Sequence, residues 1–308
     1  MRRSRSTFAS VLGFGLTAAC FVVSGDARAQ ACCSAASAVT PARLTTHERG
    51  LVGLELRSQG VIGSYGPYGA FSAMPDGSSE VDLSVALLAA VRIGPRVQLA
   101  ALVPWQTTRR VTPDKGDLGA GFGDANLGVR VEVLREFEHR YVPGIAVLVG
   151  STLPTGRPPE LARGPLAADA TGIGAVQLHA AVALEKRLGH WLVGATGLVA
   201  QRLTRLAGPV ETTLGTQLTA LVNASYIFPN LSAVAASVSY SGEGDASIDG
   251  EDRPDTGRRS LHLAISGLYP ISSRVRFQSS LFVTPPISDL GRNQNAVVGG
   301  SFAALTSF

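Results

Sequence analysis

From Ala125 to Val133 the chain alternates without a break. Ala125, Leu127, Val129, Val131 and Val133 are apolar, and Asn126, Gly128, Arg130 and Glu132 fall between them. Successive side chains leave an extended backbone on opposite sides, so this is a strand with one aliphatic face and one face carrying a charged pair. One such strand suits a water-soluble sheet as well as a membrane barrel. The choice between them rests on whether the rest of the chain repeats the pattern.

Residues 1–29 are set apart first. Arg2, Arg3 and Arg5 form a basic start, Val11 to Val23 is largely apolar, and Ala27-Arg28-Ala29 matches an export cleavage site, which predicts a signal peptide and a mature chain beginning at Gln30. The apolar run is short for a membrane anchor, and a lipidation site at Cys20 is disfavoured because the run continues past it. Removing Arg2, Arg3, Arg5, Arg28 and Asp26 takes the formal net charge from +4 to +1. No basic patch interleaved with aromatics remains, and nucleic acid is not an expected partner. Residues 30–47, rich in Ala, Ser and Thr, predict a flexible periplasmic N-terminal segment. Cys32 and Cys33 are adjacent and lack metal-ligand spacing, so a vicinal disulfide, an intermolecular bridge and free thiols all stay open, with neither metal nor cofactor expected.

Beyond residue 48 the alternation recurs. Twelve strands are predicted, at about 50–57, 81–92, 96–106, 125–133, 141–153, 174–186, 190–202, 211–227, 231–241, 259–269, 274–284 and 294–308. Connections are long after each odd strand and short after each even one, as in bacterial outer-membrane barrels with short periplasmic turns and longer external loops. The expected fold is therefore an all-β, closed antiparallel transmembrane barrel over 48–308, in the outer membrane of a Gram-negative bacterium. Tyr141, Trp191, Tyr226, Tyr269 and Phe308 fall on the aliphatic face at predicted periplasmic strand ends, and Trp105 and Tyr240 at external ends. Together they form the expected aromatic girdles.

Energetics set the register. A one-residue slip would aim Arg130 and Glu132 at lipid, and a cation there costs about 2–4 kcal/mol at the midplane. The polar face must point inward, and the last strand must pair with the first, because an open edge in hydrocarbon leaves amides and carbonyls unsatisfied.

Phe122-Gly123-Asp124-Ala125-Asn126-Leu127-Gly128, Leu153-Pro154-Thr155-Gly156-Arg157 and Thr171-Gly172 resemble the barrel proteins of the MetA-pathway of phenol degradation, or transporter-like, family. The resemblance spans about 50 to 308 as a pattern. It implies passage of small, often hydrophobic compounds across the outer membrane, and it carries over no functional residue.

Three functions are weighed on the residues. For a passive channel or uptake barrel, the expected lumen-lining residues are Glu55, Arg57, Asp82, Arg92, Arg96, Arg130, Glu132, Gln177, His179, Glu185, Arg276 and Gln278. They form either a selectivity ladder for a small-molecule solute or a self-paired filling. Loop 154–172 is the candidate for a fold-in constriction, with a mobile external loop as the alternative. A structural or adhesin-type barrel would act through its external loops, among them acidic loop 242–257 with Glu243, Asp245, Asp249, Glu251, Asp252 and Asp255. That loop is either a cation ligand set or a solvated surface. A hydrolase finds no G-x-S-x-G motif and no catalytic candidates, so no enzymatic activity is expected. The expected partners are outer-membrane lipid, lipopolysaccharide and, through the last strand ending at Phe308, the barrel-assembly machinery.

Overall fold

A computed structural model describes residues 43–45, 47–207 and 210–308. The expectations for residues 1–29 and for Cys32 and Cys33 lie outside them. The described chain is all-β, with one 3₁₀ turn at Pro159–Leu161 and no helix long and apolar enough to cross a membrane.

Twelve antiparallel strands close into a barrel. They are β1 (Gly50–Tyr65), β3 (Ser79–Gly94), β4 (Val97–Val111), β6 (Ala125–Leu134), β7 (Gly144–Leu153), β8 (Gln177–Leu188), β9 (Trp191–Arg202), β12 (Gln217–Ile227), β13 (Ala233–Glu243), β16 (Arg258–Pro270), β17 (Val275–Val283) and β18 (Gln294–Ser307). Each pairs with the next, and β18 pairs with β1 from Leu51 opposite Ser307 to Tyr65 opposite Gln294. The closure demanded by hydrocarbon is thus met along the whole seam.

Six short strands extend the barrel at its long-loop end: β2 (Phe71–Ala73), β5 (Gly116–Phe122), β10 (Arg205–Ala207), β11 (Val210–Thr213), β14 (Ala246–Ile248) and β15 (Glu251–Arg253). β5 takes over from β6 as the partner of β4, pairing Trp105 with Phe122 up to Val111 with Gly116. Residues 107–121, expected as a loop, are therefore a continuation of the wall. β10, β11, β14 and β15 form a second, small sheet.

Alternation gives the wall two faces. Leu54, Leu87, Leu127, Val149, Val222, Ile265 and Leu281 are exposed on the outer surface, Leu281 at 72%. Their strand neighbours Gln98, Asn126, Arg130, His179, Ser239 and Ser280 are buried on the inner one. An aliphatic belt of this extent has no place in water and matches the lipid-facing band of outer-membrane barrels.

Aromatic residues sit at its rims. Trp191 meets Tyr226 edge-on at 5.2 Å, and Tyr226 meets Phe228 at 5.0 Å. At the other rim Trp105 meets Phe122 at 5.0 Å. Tyr240, Tyr269 and Phe308 are exposed at strand ends. Tyr141 departs from expectation: it lies in the turn before Gly144, outside any strand, because Pro143 delays the start of β7.

Candidate functional site

The interior is not uniformly polar. Towards the short-turn end its wall is aliphatic: Leu192, Ile227, Ala233, Ala235 and Leu268 form one buried cluster, and Ala146, Leu148, Ala181 and Ala183 another. A hydroxyl wall runs through Ser237 and Ser239 of β13, Ser260 and Ser266 of β16, and Ser280 of β17, all buried. Charged and amide groups stand beside it. Asp82 accepts from Gln59 Nε2 at 3.1 Å and from Thr108 Oγ1 at 2.7 Å. The Arg57 guanidinium stacks 4.2 Å from the Phe282 ring centroid. Arg202 pairs with Glu243 at 2.6 Å and donates to Gln177 at 3.0 Å.

Ten of the twelve lumen candidates stand on inward faces along their strands: Glu55, Arg57, Asp82, Arg130, Glu132, Gln177, His179, Glu185, Arg276 and Gln278. Many are paired there. Arg130 is 3.5 Å from Glu185, and Glu132 is 3.3 Å from Arg135. His179 is 4% exposed, and neither ring nitrogen has a hydrogen-bond partner among the described residues. Its ring occupies the space that a side chain at Gly150 would need.

The two remaining candidates sit elsewhere. Arg92 lies at the short-turn mouth and donates to the carbonyls of Thr45, Glu48 and Pro95. Arg96 is a correction. It is exposed in the turn between β3 and β4, where it bonds the Val133 carbonyl and Glu138, both at 2.7 Å. The turn ends the alternation there, so Arg96 faces the neighbouring turn instead of the lumen.

Both mouths are crossed by chain. At the long-loop end, residues 155–173 fold against the inner faces of β4 and β5. Arg110 donates to the carbonyls of Leu166 and Ala167, both at 2.9 Å. Asp117 accepts from the N–H groups of Leu166 and Ala168, both at 3.1 Å. Asp124 accepts from Gly156 at 2.9 Å and Ile173 at 2.6 Å. Gly119 is the close approach: a Cβ there would stand 2.2 Å from the Asp169 nitrogen. Within the loop, desolvation opposes the charged form of Asp169, but the N–H groups of Arg163 and Gly164 and the Arg157 guanidinium outweigh it and hold its carboxyl down at about 2. The constriction expected for 154–172 is thus folded inward.

At the short-turn end, the described part of the 30–47 segment and Glu48 enter the barrel as a strap. Leu44 is 1% exposed and packs among Leu51, Leu88, Ala90, Ala303 and Leu305, all inward-facing. Its N–H donates to Gln98 Oε1 at 3.1 Å. Arg43 pairs with Glu185, and Glu48 pairs with Arg276. Nothing in the sequence marked this strap, since it lies in a stretch without periodicity.

The acidic loop 242–257 spends its carboxylates locally. Glu243 pairs with Arg202, Asp245 caps Gly257 N–H at 2.6 Å, Asp249 caps Glu211 N–H at 2.9 Å, and Asp255 pairs with Arg292 at 2.7 Å.

No family model matches this sequence, and no curated protein does. Solved structures do. The fold is similar to the COG4313 outer membrane channel from Pseudomonas putida F1, at TM-score 0.67 and 15% identity, over 86% of this chain and 97% of that one. The transport unit of the autotransporter AIDA-I from Escherichia coli, at 0.49 and 7% identity over 88% and 95%, is a more distant match. So is the TodX monoaromatic hydrocarbon channel, at 0.45 and 9% identity over 85% and 91%. This protein has the fold of an outer-membrane β-barrel.

Proposed function

We propose that this protein gives small solutes passive passage across the outer membrane, hydrophobic or aromatic solutes among them. One observation carries the reading: the interior wall is mixed, with an aliphatic floor beside hydroxyl and charged walls, and small residues such as Ala181, Ala183, Ser237 and Ser239 recur between its larger ones. Eight strands already give an interior that side chains just fill, so twelve strands enclose a wider one, which the small residues leave room to cross. Serine hydroxyls replace water around a solute's polar atom, and the aliphatic floor accepts its apolar body. Charges of both signs, mostly paired, favour neither anions nor cations strongly. The similarity to the Pseudomonas putida channel in fold, and the resemblance of Phe122–Gly128 and Leu153–Arg157 to the transporter-like family, support the same reading.

Lipid at the aliphatic belt, lipopolysaccharide at the long-loop rim, and recognition of the β18 strand ending at Phe308 by the assembly machinery belong to this proposal, as does export through residues 1–29. No chemical step is assigned. A hydrolase needs a base aligned on a nucleophile and oriented by a third group, whereas His262 Nδ1 meets Thr284 Oγ1 at 3.1 Å and the His179 ring meets no partner among the described residues.

The test is planar-bilayer conductance of the refolded protein together with swelling of proteoliposomes in small solutes. Discrete steps and solute-dependent swelling are expected, and their absence overturns the proposal. A second reading has its own observation, the small sheet of β10, β11, β14 and β15 among the long loops, which offers a surface for an adhesin-type role. It predicts surface binding lost on loop replacement, without conductance.

A further inference from the structure

The strap holds the molecule together in a way that the rest of the wall does not. β17 and β8 lie five places apart around a ring of twelve, on nearly opposite walls. The described residues 43–45, 47 and 48 bridge them: Glu48 holds Arg276 on β17, Arg43 holds Glu185 on β8, and the Arg276 guanidinium also donates to the Arg43 carbonyl at 3.5 Å. Between these anchors Arg92 on β3 donates to the carbonyls of Thr45 and Glu48 at 2.8 and 3.1 Å, and Gln98 on β4 accepts from Leu44. Two ion pairs, four side-chain bonds and one buried leucine thus carry a chain across the mouth.

Each of these contacts has a barrel side chain on one end, and the ion-paired side chains are 11–19% exposed. No ladder hydrogen bond of the barrel depends on them, because β1 begins at Gly50 and pairs with β18 and β3 from there on. The strap is therefore separable from the fold.

We propose that this strap is a latch that shuts the periplasmic mouth, and that its release is the step that opens the path. The inference rests on the passage reading above. Release takes Glu48 and Arg43 out together, one charge of each sign. Arg130 stays paired with Glu185, Glu132 with Arg135, and Arg92 keeps the Pro95 carbonyl. The net charge of the mouth is therefore unchanged, and the latch sets access without setting a charge preference.

The experiment starts from a chain with Cys20, Cys32 and Cys33 replaced by Ser, to which Leu44→Cys and Gln98→Cys are added. A short reducible bifunctional thiol reagent then fixes the strap to β4, with folding checked by heat-modifiable migration in gels. Conductance is read in planar bilayers before and after reduction, and beside it that of a chain lacking residues 43–48. The expected result is a cross-linked barrel that conducts little and a roughly tenfold rise in the deleted chain. Equal conductance in cross-linked and reduced protein overturns the latch while leaving passage intact. Silence in every form, the deletion included, overturns passage and the latch together. A measurement free of conductance stands beside these: Leu44→Cys alone should resist a membrane-impermeant maleimide and become reactive when Arg276→Gln and Glu185→Gln are added. Ready labelling without those changes also overturns the latch.

Discussion

Chain folds inward at both ends of this barrel, and it is held there by different chemistry. At the long-loop end, Asp117, Asp124 and Asp169 accept hydrogen bonds from backbone N–H groups of residues 156–173, and a glycine at 119 lets that backbone lie directly on the wall. At the short-turn end, Arg–Glu pairs and one leucine hold the strap. A carboxylate that caps backbone amides removes donors that would otherwise be buried without partners, so its loss costs the full desolvation penalty. The strap's ion pairs are partly buried, and withdrawal of the strap opens their wall partners to water instead of stranding them. The long loop is therefore built as part of the wall, and the strap as something that can leave it.

The difference can be broken most sharply at Gly119. Gly119→Val would place side-chain atoms against the backbone of Ala168 and Asp169, with no flexible side chain to give way. The inward loop is expected to be expelled, seen as rapid proteolysis within 155–173 of a barrel that still migrates as folded. At the opposite mouth Leu44→Ala should weaken strap docking by about 2–5 kcal/mol, the range for a buried leucine truncation. Hydrogen exchange at residues 43–48 would rise while that of 155–173 stays put. Asp124→Ala strands the N–H groups of Gly156 and Ile173 and should cost about 1–3 kcal/mol of loop protection per unsatisfied donor, read by the same exchange experiment.

Salt gives a smaller effect that separates the two ends without mutation. Raising ionic strength from 0.05 to about 1 M, where the Debye length falls to about 3 Å, should increase thiol labelling at a cysteine placed at residue 44. Protease resistance of the long loop should barely change. Acid gives the smallest effect. The Asp169 carboxyl titrates at about 2 when folded, below the unfolded value of about 3.9, so its stabilisation is full above about pH 4 and fades as pH falls towards 2. Loop protection should be flat from pH 7 to 4 and decline below that, and a decline already near pH 6 would contradict the assignment.

The barrel was legible in the sequence because each strand has one lipid face, and lipid penalises a charge there. Val52, Leu54 and Leu56 on β1, or Val234, Val238 and Tyr240 on β13, alternate strictly for that reason. The interior obeys no such rule. Leu87, Leu88, Ala89 and Ala90 are apolar on both faces, so the aliphatic floor is hidden inside a run that alternation cannot split. Arg96 and Tyr141 continue the pattern by one step into turns, where no pleat holds them to a face. The strap left no mark because its placement depends on long-range pairs, such as Glu48 with Arg276, that no local spacing encodes. The small sheet at the long-loop end was missed for a related reason: strands of three or four residues are too short to show a period.

Phe308, the final residue, exchanges backbone hydrogen bonds with Gly50 at 2.9 Å in each direction, and its ring lies over that glycine. The strap ends two residues earlier, at Glu48. One end of the stitch that turns a curled sheet into a cylinder is therefore made beside the segment that enters its inner opening. Zipping the seam fixes the start of β1, and with it the point from which that segment departs.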